Sequence, residues 1–554
     1  MNDFSILIGG KAGYGIDKAS GVIGRLLNQL GYRIYVYRDY PSLIRGGHTF
    51  SIIRASNNRI AAHQEKVDFV LALNQETLDL HKARLKKDCL FIFDSEQVKT
   101  GIEPGCGVGL SLGKLLKEEN APEIMRNTCI IGALAKALGI GFDILTGVLK
   151  KEFTKNTDLN LKVAQRGFNE AKEWIKIEPL RQEILPLLTA NQAIALGLIK
   201  GGLSAYIAYP MTPSSPILHY LAEIADECAL EVIHPESEIA VILMALGFSY
   251  LGKKTAVGTS GGGFCLMTEG LSFAGMGELP VVIILGQRPG PSTGLPTYSA
   301  QTELHFALNA GQGEFARFIV APGDAEEAYY WSAISMNISW KYQLPSIILS
   351  DKNLGEGISN FDLNKVPEIK TETAVFWDGK SPYKRYAITK NGVSPLAFPP
   401  LKDEIIKVNS YEHDEFGLTT EDPEETKLMQ EKRLRKEKFL AEDLESVKTV
   451  NVYEGENSET ALLCWGSNKG VCAEAGQRLG LKVIQPVVLN PFPVGQFQAA
   501  LAGVKKLICV ESNATGQLAR LIRGYGFKVD DVISKYDGRP FALDELEETV
   551  KERL

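Results

Sequence analysis

The sequence predicts a multidomain α/β protein, and three observations support this fold class. The chain has 554 residues, which is too long for one hydrophobic core and indicates roughly three or four domains. Short apolar runs typical of strands alternate with helical patterns in three regions, as in βαβ units with parallel sheets. In the middle region, four strand-like runs lead into turns rich in glycine, proline and hydroxyl groups.

The alternating pattern divides the chain into four segments. The first opens with a strand-like run at residues 4–8, a glycine-rich turn and an amphipathic helix from about residue 17. The third breaks into prolines and charges and is expected to be a linker. The predicted boundaries are 1–183, 184–358, 359–450 and 451–554.

The linker contains one predicted helix. Asp422 and Pro423 form a good start signal, because aspartate caps the first turn and proline suits its first position. The basic cluster between Lys432 and Lys436 is interleaved with acids, which is typical of a solvated helix face. We therefore predict an exposed charged helix and no nucleic-acid patch.

Charge and hydropathy exclude two classes of partner. A net charge of −7 gives no electrostatic footprint for nucleic acid or an anionic membrane. The longest apolar runs fall short of the ~18 residues that indicate a membrane span. The first residues lack a basic region before the opening strand. We therefore expect a cytoplasmic protein.

The eight cysteines show no metal-binding pattern. None of them has the two-residue spacing that zinc and iron–sulfur sites favour. Most lie in apolar runs, which indicates small buried residues in a reducing compartment. Any redox centre that the protein uses is therefore expected on another chain.

The four polar turns predict a binding cleft. Parallel strands place such turns side by side at their carboxyl ends, where open α/β sheets build their sites. The turns lie within Tyr209–Pro216, Pro235–Ala240, Thr259–Phe264 and Gln287–Gly294.

The first turn has a structural and a functional interpretation. Thr212 can cap a helix with Pro213 at its first position, and Ser214 adds a second hydroxyl. The same helix N-terminus can instead bind a carboxylate or a phosphate.

Glu238 is the stronger candidate of the two acids in the second turn. Both Glu236 and Glu238 have a purely structural explanation, because acids are favourable in the first turn of a helix. However, the nine residues after Glu238 are apolar nearly all round, so the helix is expected to be buried. A carboxylate at the N-terminus of a buried helix needs a specific partner or a shifted pKa.

The third turn raises a rival function. Gly258 to Gly262 match the Gly-x-Ser-x-Gly nucleophile elbow, so Ser260 is a candidate nucleophile of a serine hydrolase. The triad would need a later histidine, which leaves His305 or His413. Successive glycines equally suit the close approach of a ligand to the backbone.

Two further loops carry candidate anion-binding residues. Arg288 follows a buried-looking strand and is placed to clamp a carboxylate or to form a loop salt bridge. Gly9–Gly15 has the strand–glycine–helix context of a phosphate cradle, with spacing unlike the dinucleotide motif. The turn that begins at Arg45 supplies a cation for the same cleft.

These motifs together resemble the 2-oxoacid:acceptor (ferredoxin) oxidoreductases, specifically the alpha subunit in its fused gamma–alpha form. The glycine-rich loop and Arg45-Gly-Gly match the gamma domain. The four polar turns match the pyrimidine-binding half of the thiamine-diphosphate fold. Residues 465–470 and 511–517 are similar to the transketolase C-terminal-like domain.

The resemblance implies oxidative decarboxylation of a 2-oxo acid with CoA to acyl-CoA and CO2, with electrons passed to ferredoxin. Glu238 corresponds to the glutamate that hydrogen-bonds the aminopyrimidine of thiamine diphosphate. Thr212 and Arg288 correspond to catalytic positions that hold the substrate, with Ser214 beside them. The remaining implied contacts are Tyr209, Pro210, Ser260 and Gly261 for thiamine diphosphate, and Gly13, Gly15, Arg45 and Gly46 for CoA.

The resemblance also implies an obligate partner. The sequence lacks a diphosphate and Mg²⁺ motif and cluster-binding cysteines, which in the family belong to a beta subunit with a [4Fe–4S] cluster. An alpha–beta heterodimer or an (alpha–beta)2 heterotetramer is implied. A CoA-binding scaffold without activity is the alternative within the same fold.

Three positions depart from the family pattern and leave the substrate open. Pro216, Gly262 and Pro289 replace residues common in the family, and all three lie around the implied substrate position. Pyruvate, 2-oxoglutarate and branched-chain or aryl analogues therefore remain candidates.

Overall fold

The computed structural model describes residues 2–41, 46–99, 105–370, 372, 374–453, 455 and 457–554. The chain forms two compact units. The first comprises Met1–Leu188, Glu356–Asp362 and Phe541–Leu554, and the second comprises Thr189–Gly355 and Leu363–Pro540. The α/β fold class predicted from the sequence is confirmed. The division into four segments stays a prediction.

The first unit is built on a mixed eight-stranded sheet in the order β6-β5-β4-β1-β3-β2-β14-β7. Its helices pack a core of aliphatic side chains against one face of the sheet. In chain order, the elements up to the start of the second unit are β1 Asp3–Lys11, α1 Ile16–Gln29, β2 Arg33–Asp39, β3 His48–Ser56, β4 Val67–Ala72, α2 Gln75–His81, β5 Leu85–Asp94, β6 Gly107–Leu110, α3 Leu112–Glu118, α4 Arg126–Ala137, α5 Phe142–Glu152, α6 Thr157–Glu170 and β7 Leu187–Thr189.

The second unit contains two sheets over one continuous core. The seven-stranded sheet has the order β18-β12-β13-β11-β10-β8-β9, and the five-stranded sheet has the order β15-β17-β16-β19-β20. The elements up to the linker, including β14 of the first unit, are α7 Ala190–Lys200, β8 Ala205–Ile207, α8 Ser215–Glu223, α9 Ala225–Cys228, β9 Glu231–Ile233, α10 Glu238–Tyr250, β10 Thr255–Ser260, α11 Gly261–Met276, β11 Val281–Gln287, α12 Leu304–Asn309, β12 Phe318–Val320, α13 Ala325–Tyr342, β13 Pro345–Asp351, α14 Lys352–Glu356 and β14 Ile358–Asn360.

The C-terminal part of the chain completes both units. Its helix α19 belongs to the first unit, whereas β18 extends the seven-stranded sheet of the second. Its elements are α15 Pro423–Leu444, β15 Val450–Tyr453, β16 Thr460–Leu463, α16 Asn468–Leu479, β17 Lys482–Pro486, β18 Val488–Asn490, α17 Val494–Ala500, β19 Lys506–Glu511, α18 Gln517–Gly524, β20 Asp531–Ser534 and α19 Leu543–Lys551.

The linker helix α15 begins where the sequence predicted. The Asp422 carboxylate accepts hydrogen bonds from the backbone N–H groups of Glu424 and Glu425 at 2.9 Å. The interpretation of its basic cluster as a solvated face is wrong for Lys432 and Lys436, which are buried. Both pair with buried Glu278, and Lys432 Nζ lies 2.6 Å from Glu278 Oε1.

Lys432 and Lys436 can be buried because they pair with the carboxylate of Glu278, which lies far from them in the sequence. Glu278 lies two residues after the end of α11, and its backbone carbonyl accepts a hydrogen bond from Arg385 at 2.8 Å. Burial raises the pKa of Glu278, but Lys432, Lys436 and Arg385 outweigh it and hold the pKa well below its usual range. Burial lowers the pKa of Lys436 to about 7, with Glu278 acting in the opposite direction. The cluster fastens the linker to the second unit.

Candidate functional site

The predicted cleft lies at one edge of the seven-stranded sheet. Strands β9, β8, β10, β11 and β13 are parallel neighbours. In their register, Ile207 pairs with Ile233, Ser260 with Gly286, and Gln287 with Asp351. The polar turns that follow these strands therefore lie at the same edge, as expected for parallel strands.

The turn after β8 does not use Thr212 as a helix cap. Helix α8 begins at Ser215, and Pro216 occupies its first turn. Ser214 precedes the helix, and its hydroxyl donates to the carbonyl of Met211 at 2.8 Å. The predicted capping role of Thr212 is wrong, because the chain makes one more turn before α8 begins. The Thr212 side chain is half-buried.

Arg288 is brought to this turn from the end of β11. Arg288 is 7% exposed, and its Nη1 donates to the Thr212 carbonyl at 2.8 Å. Burial lowers the pKa of Arg288, with Glu303 acting in the opposite direction. A guanidinium anchored through one N–H keeps others for a carboxylate. The structure thus unites two residues that are far apart in the sequence.

Glu238 is a buried acid with an unsatisfied oxygen. It is the first residue of α10 and is 4% exposed. Its Oε1 is buried and has no hydrogen-bond partner among the described residues. A methyl group at Gly263 would lie 2.6 Å from this oxygen, so only glycine on α11 permits the close approach. An unpaired buried carboxylate oxygen is costly, which indicates an acceptor prepared for a ligand.

Ser260 and Gly261 lie where β10 passes into α11. Ser260 is fully buried, and its hydroxyl has no hydrogen-bond partner in the described part of the chain. A serine nucleophile requires a hydrogen-bonded base, and no such bond joins Ser260 to His305 or His413 within the described residues. His413 instead packs against the ring of Tyr386 in a tilted arrangement, with ring centroids 3.8 Å apart. The geometry does not support the hydrolase.

Tyr209 and Pro210 form the exposed entrance of the same turn. Tyr209 is 37% exposed, and its ring packs against His234 with centroids 5.8 Å apart. His234 lies in the turn after β9. The two neighbouring turns are therefore linked by an aromatic contact at the rim of the cleft.

Glu303 is a candidate that the sequence did not indicate. It lies just before α12 and is 8% exposed. Its Oε1 accepts a hydrogen bond from the Thr302 hydroxyl at 2.8 Å. Burial raises the pKa of Glu303 to about 7, although Thr302 and Arg288 act in the opposite direction. A buried acid that faces the cleft arginine belongs to the same group of polar residues.

The N-terminal glycine loop forms a separate polar region in the first unit. Gly13 and Gly15 have φ angles of 95° and 69°, which favour glycine. The backbone N–H of Ala12 donates to the carbonyl of Gly47 at 2.8 Å. The loop therefore meets the turn that contains Gly46, as expected. Arg45, the predicted cation of this turn, lies outside the described residues.

The described residues contain no cluster of metal-ligating side chains. No group of three or more His, Cys, Asp or Glu side chains is arranged to hold a metal ion there. Five cysteines are buried as expected, and Cys265 on α11 is exposed. Within the same residues, no helix combines the length and the hydropathy needed to cross a bilayer.

Helices α10 and α11, which pack against each other, both expose large apolar side chains. Ile239 and Leu243 are 52% and 49% exposed, and Leu266 on α11 is 49% exposed. The expectation that α10 is buried all round is therefore wrong. One face packs on the sheet through Val241, Ile242 and Ala245, and the other face is open. Exposed apolar patches of this kind mark interaction surfaces.

Comparisons with known proteins agree with the fold class that the sequence predicts. The family model described as pyruvate flavodoxin/ferredoxin oxidoreductase, thiamine diP-bdg, matches residues 196–432. A second model, described as pyruvate ferredoxin/flavodoxin oxidoreductase, matches residues 5–170. Both models describe pyruvate ferredoxin/flavodoxin oxidoreductases, and the first describes a thiamine-diphosphate-binding part, so they indicate the class of protein that the full-length relatives establish.

Full-length relatives specify the family further. The 2-oxoacid:ferredoxin oxidoreductase subunit alpha of Saccharolobus solfataricus is 30% identical over 99% of this chain and 97% of its own length. A second such subunit from Aeropyrum pernix is 30% identical over 100% of this chain and 98% of its own length. The chain belongs to the family of 2-oxoacid:ferredoxin oxidoreductase alpha subunits.

One solved structure matches the whole chain. It is the 2-oxoglutarate:ferredoxin oxidoreductase from Magnetococcus marinus with 2-oxoglutarate, coenzyme A and succinyl-CoA bound. The TM-score is 0.90 at 30% identity, and the match covers 100% of this chain and 99% of the other.

Proposed function

We propose that the chain is the alpha subunit of an enzyme that oxidatively decarboxylates a 2-oxo acid with CoA and passes the electrons to ferredoxin. The observation that carries the proposal is the buried Glu238 Oε1, which has no hydrogen-bond partner among the described residues, in a cleft that also holds Arg288. The full-length similarity to alpha subunits supplies the reaction class. A CoA-binding scaffold without activity would not need to keep a carboxylate buried and unsatisfied.

The cleft residues fit thiamine diphosphate. Glu238 Oε1 is an acceptor for a protonated ring nitrogen, and the carboxylate favours the tautomer in which that nitrogen carries the proton. The next polar groups are the backbone at Gly261 and the Ser260 hydroxyl, which likewise has no hydrogen-bond partner in the part of the chain that the structure describes. Tyr209 and Pro210 complete the proposed contacts. Thiamine diphosphate, when bound, supplies the electron sink for decarboxylation.

Arg288 and Thr212 are the proposed substrate residues. The guanidinium binds the 2-oxo carboxylate, and its bond to the Thr212 carbonyl fixes its direction. The Thr212 and Ser214 hydroxyls line the same turn. The relative from Magnetococcus marinus contains 2-oxoglutarate, so we place this acid first among the candidate substrates.

The N-terminal glycine loop is the proposed contact for CoA. Gly13, Gly15 and Gly46 supply backbone N–H groups around a turn, and such groups suit phosphate oxygens. Arg45 is the proposed cation beside them. The presence of coenzyme A in the Magnetococcus marinus structure supports CoA as the acyl acceptor.

The exposed apolar face of α10 and α11 is the proposed docking surface for a beta subunit. That subunit carries the diphosphate and Mg²⁺ site and the [4Fe–4S] cluster, and forms an alpha–beta heterodimer or an (alpha–beta)2 heterotetramer. Ile239, Leu243 and Leu266 are available for burial. Free buried cysteines suit a reducing compartment, and we therefore place the complex in the cytoplasm.

Substitution of the buried carboxylate tests this proposal. Glu238→Gln should lower 2-oxo acid turnover by the assembled complex at least about 100-fold, because an amide holds the ring proton poorly. Exposed Glu236, two residues earlier, provides the matched control Glu236→Gln, which should retain turnover. Gel filtration verifies that both variants assemble. Substantial turnover by Glu238→Gln would remove Glu238 from the catalytic role.

A further inference from the structure

Glu303 is a buried acid, and one of its two carboxyl oxygens makes no hydrogen bond to the described residues. Its backbone N–H donates to Gln287 Oε1 at 3.1 Å, which fixes the residue against the end of β11. Its Oε2 is buried and has no hydrogen-bond partner among the described residues. A methyl group at Gly261 would lie 2.7 Å from Oε1, so the carboxyl group lies against the first turn of α11. The acid therefore faces the cleft from the side of α12.

A single hydroxyl links Glu303 to Arg288. Thr302 Oγ1 lies 2.8 Å from Glu303 Oε1 and 3.2 Å from the Arg288 carbonyl oxygen. A hydroxyl carries one hydrogen, so it cannot donate to both acceptors at once. If Glu303 is protonated at Oε1, the acid donates to Thr302 and Thr302 donates to Arg288. The neutral acid is the form that satisfies both short contacts.

The surrounding charges have opposing effects on Glu303. Arg288 from the loop after β11 favours the ionised form, as does the N-terminus of α11, whereas Asp351 at the end of β13 opposes it. Glu238 begins α10 across α11, and His305 follows on α12. Burial has the largest effect and raises the pKa of Glu303 to about 7. The charge of the cleft therefore changes within the neutral pH range.

We propose that Glu303 is a positioning residue that controls, through its own charge, how well Arg288 binds the substrate carboxylate. The inference rests on the proposed function. The neutral acid leaves the guanidinium to the 2-oxo acid. The ionised acid competes for the same guanidinium and repels the incoming carboxylate. Substrate capture is then favoured on the acidic side of the Glu303 transition.

The pH profile of substrate capture tests the inference. The alpha–beta complex is assayed with methyl viologen, saturating CoA and either 2-oxoglutarate or pyruvate, and kcat/KM for the 2-oxo acid is measured from about pH 6 to 9. For the wild type, kcat/KM should fall as pH rises through the Glu303 transition, by up to about tenfold per pH unit. Glu303→Gln should give a level profile, since its amide does not ionise.

Two further variants separate positioning from folding. Glu303→Asp keeps an acid in the same place and should retain the alkaline fall with a shifted midpoint. Glu223→Gln removes an exposed acid on α8 and should reproduce the wild-type profile. A purely structural role would change stability or the height of the profile and would leave its shape intact.

The outcomes distinguish this inference from the proposed function. An alkaline fall that persists unchanged in Glu303→Gln, in a complex that turns over 2-oxo acids, would contradict the inference and leave the function intact. A level profile in Glu303→Asp would also contradict it. A wild-type complex that turns over neither acid would contradict the proposed function, and the inference with it.

Discussion

At the scale of single residues, the surroundings of Arg288 hold this loop cation in a defined orientation. Its guanidinium is nearly buried, and its bond to the Thr212 carbonyl gives it one orientation. A lysine has three donors on a flexible stem and cannot reproduce this planar fork. The position therefore requires the shape of arginine as well as its charge.

Arg288→Lys should raise KM for the 2-oxo acid about tenfold to 100-fold, because a charged hydrogen-bond pair contributes about 1.5–3 kcal/mol. The matched control is Arg520→Lys, because Arg520 is an exposed residue of α18. This variant should leave KM unchanged. Steady-state kinetics of the complex measures both. An unchanged KM in Arg288→Lys would show that the substrate carboxylate binds elsewhere.

Sequence reasoning identified Glu238 but could not identify Glu303. The apolar run after Glu238 set this acid apart, and its burial is confirmed. Nothing in the residues next to Glu303 indicates burial. Its environment depends on the missing side chain of Gly261 and on Gln287, which come from other segments. Contacts between distant segments are not encoded in a local pattern.

At the scale of elements, α10 and α11 combine a buried face with an open apolar face. The hydrophobic pattern of α10 predicted burial on all sides, since a helix that is apolar all round is normally buried. The structure buries one face only. The apolar pattern on all sides of α10 is explained if a partner chain covers its open face.

Leu243→Glu should prevent assembly with the beta subunit, because it places a charge within an apolar contact. The thermal unfolding temperature of the chain alone should change little, since Leu243 is 49% exposed. Leu428→Glu, at a leucine of α15 that is 42% exposed, is the control and should assemble normally. Gel filtration of mixed subunits measures the effect. Normal assembly of Leu243→Glu would place the interface elsewhere.

The buried charge cluster around Glu278 determines a pH dependence of stability. Burial lowers the pKa of Lys436 in the folded chain to about 7, below its value in the unfolded chain. Between these two values the unfolded state binds more protons, so the free energy of unfolding rises with pH. The rise is at most about 1.4 kcal/mol per pH unit.

Lys436→Met should abolish this rise, because methionine has no proton to lose. Exposed Lys438 on the same helix provides the control Lys438→Met, which should keep the rise. Chemical denaturation of the chain between pH 7 and about pH 9 measures the free energy of unfolding. An equal rise in Lys436→Met and the wild type would assign the effect to another group.

The solvated-face interpretation of α15 failed for a physical reason. Alternating acids and bases along a helix normally indicate exposure. Here Glu278 lies in a different part of the chain and provides a buried partner for two of the bases. The start of the helix, in contrast, depends on local capping by Asp422 and was predicted correctly.

At the scale of the whole molecule, we propose that the chain supplies part of an active site that a beta subunit completes. The described residues contain a buried acceptor, an anchored arginine and no cluster of metal ligands. The fold class and the cleft followed from strand–turn patterns, because parallel strands determine where their turns meet. The proposed assembly involves a second chain, so the sequence of this chain indicated it only through the resemblance to the family.

Anaerobic viologen reduction by the complex purified from its native host tests directly whether this alpha subunit serves in the CoA-dependent oxidation of a 2-oxo acid. The assay contains thiamine diphosphate, Mg²⁺, CoA and a panel of 2-oxo acids, with the alpha chain alone as the control. We expect CoA-dependent reduction with at least one acid by the complex and none by the chain alone. No reduction with any acid by a complex with an intact iron–sulfur cluster would contradict the account, as would turnover by the chain alone.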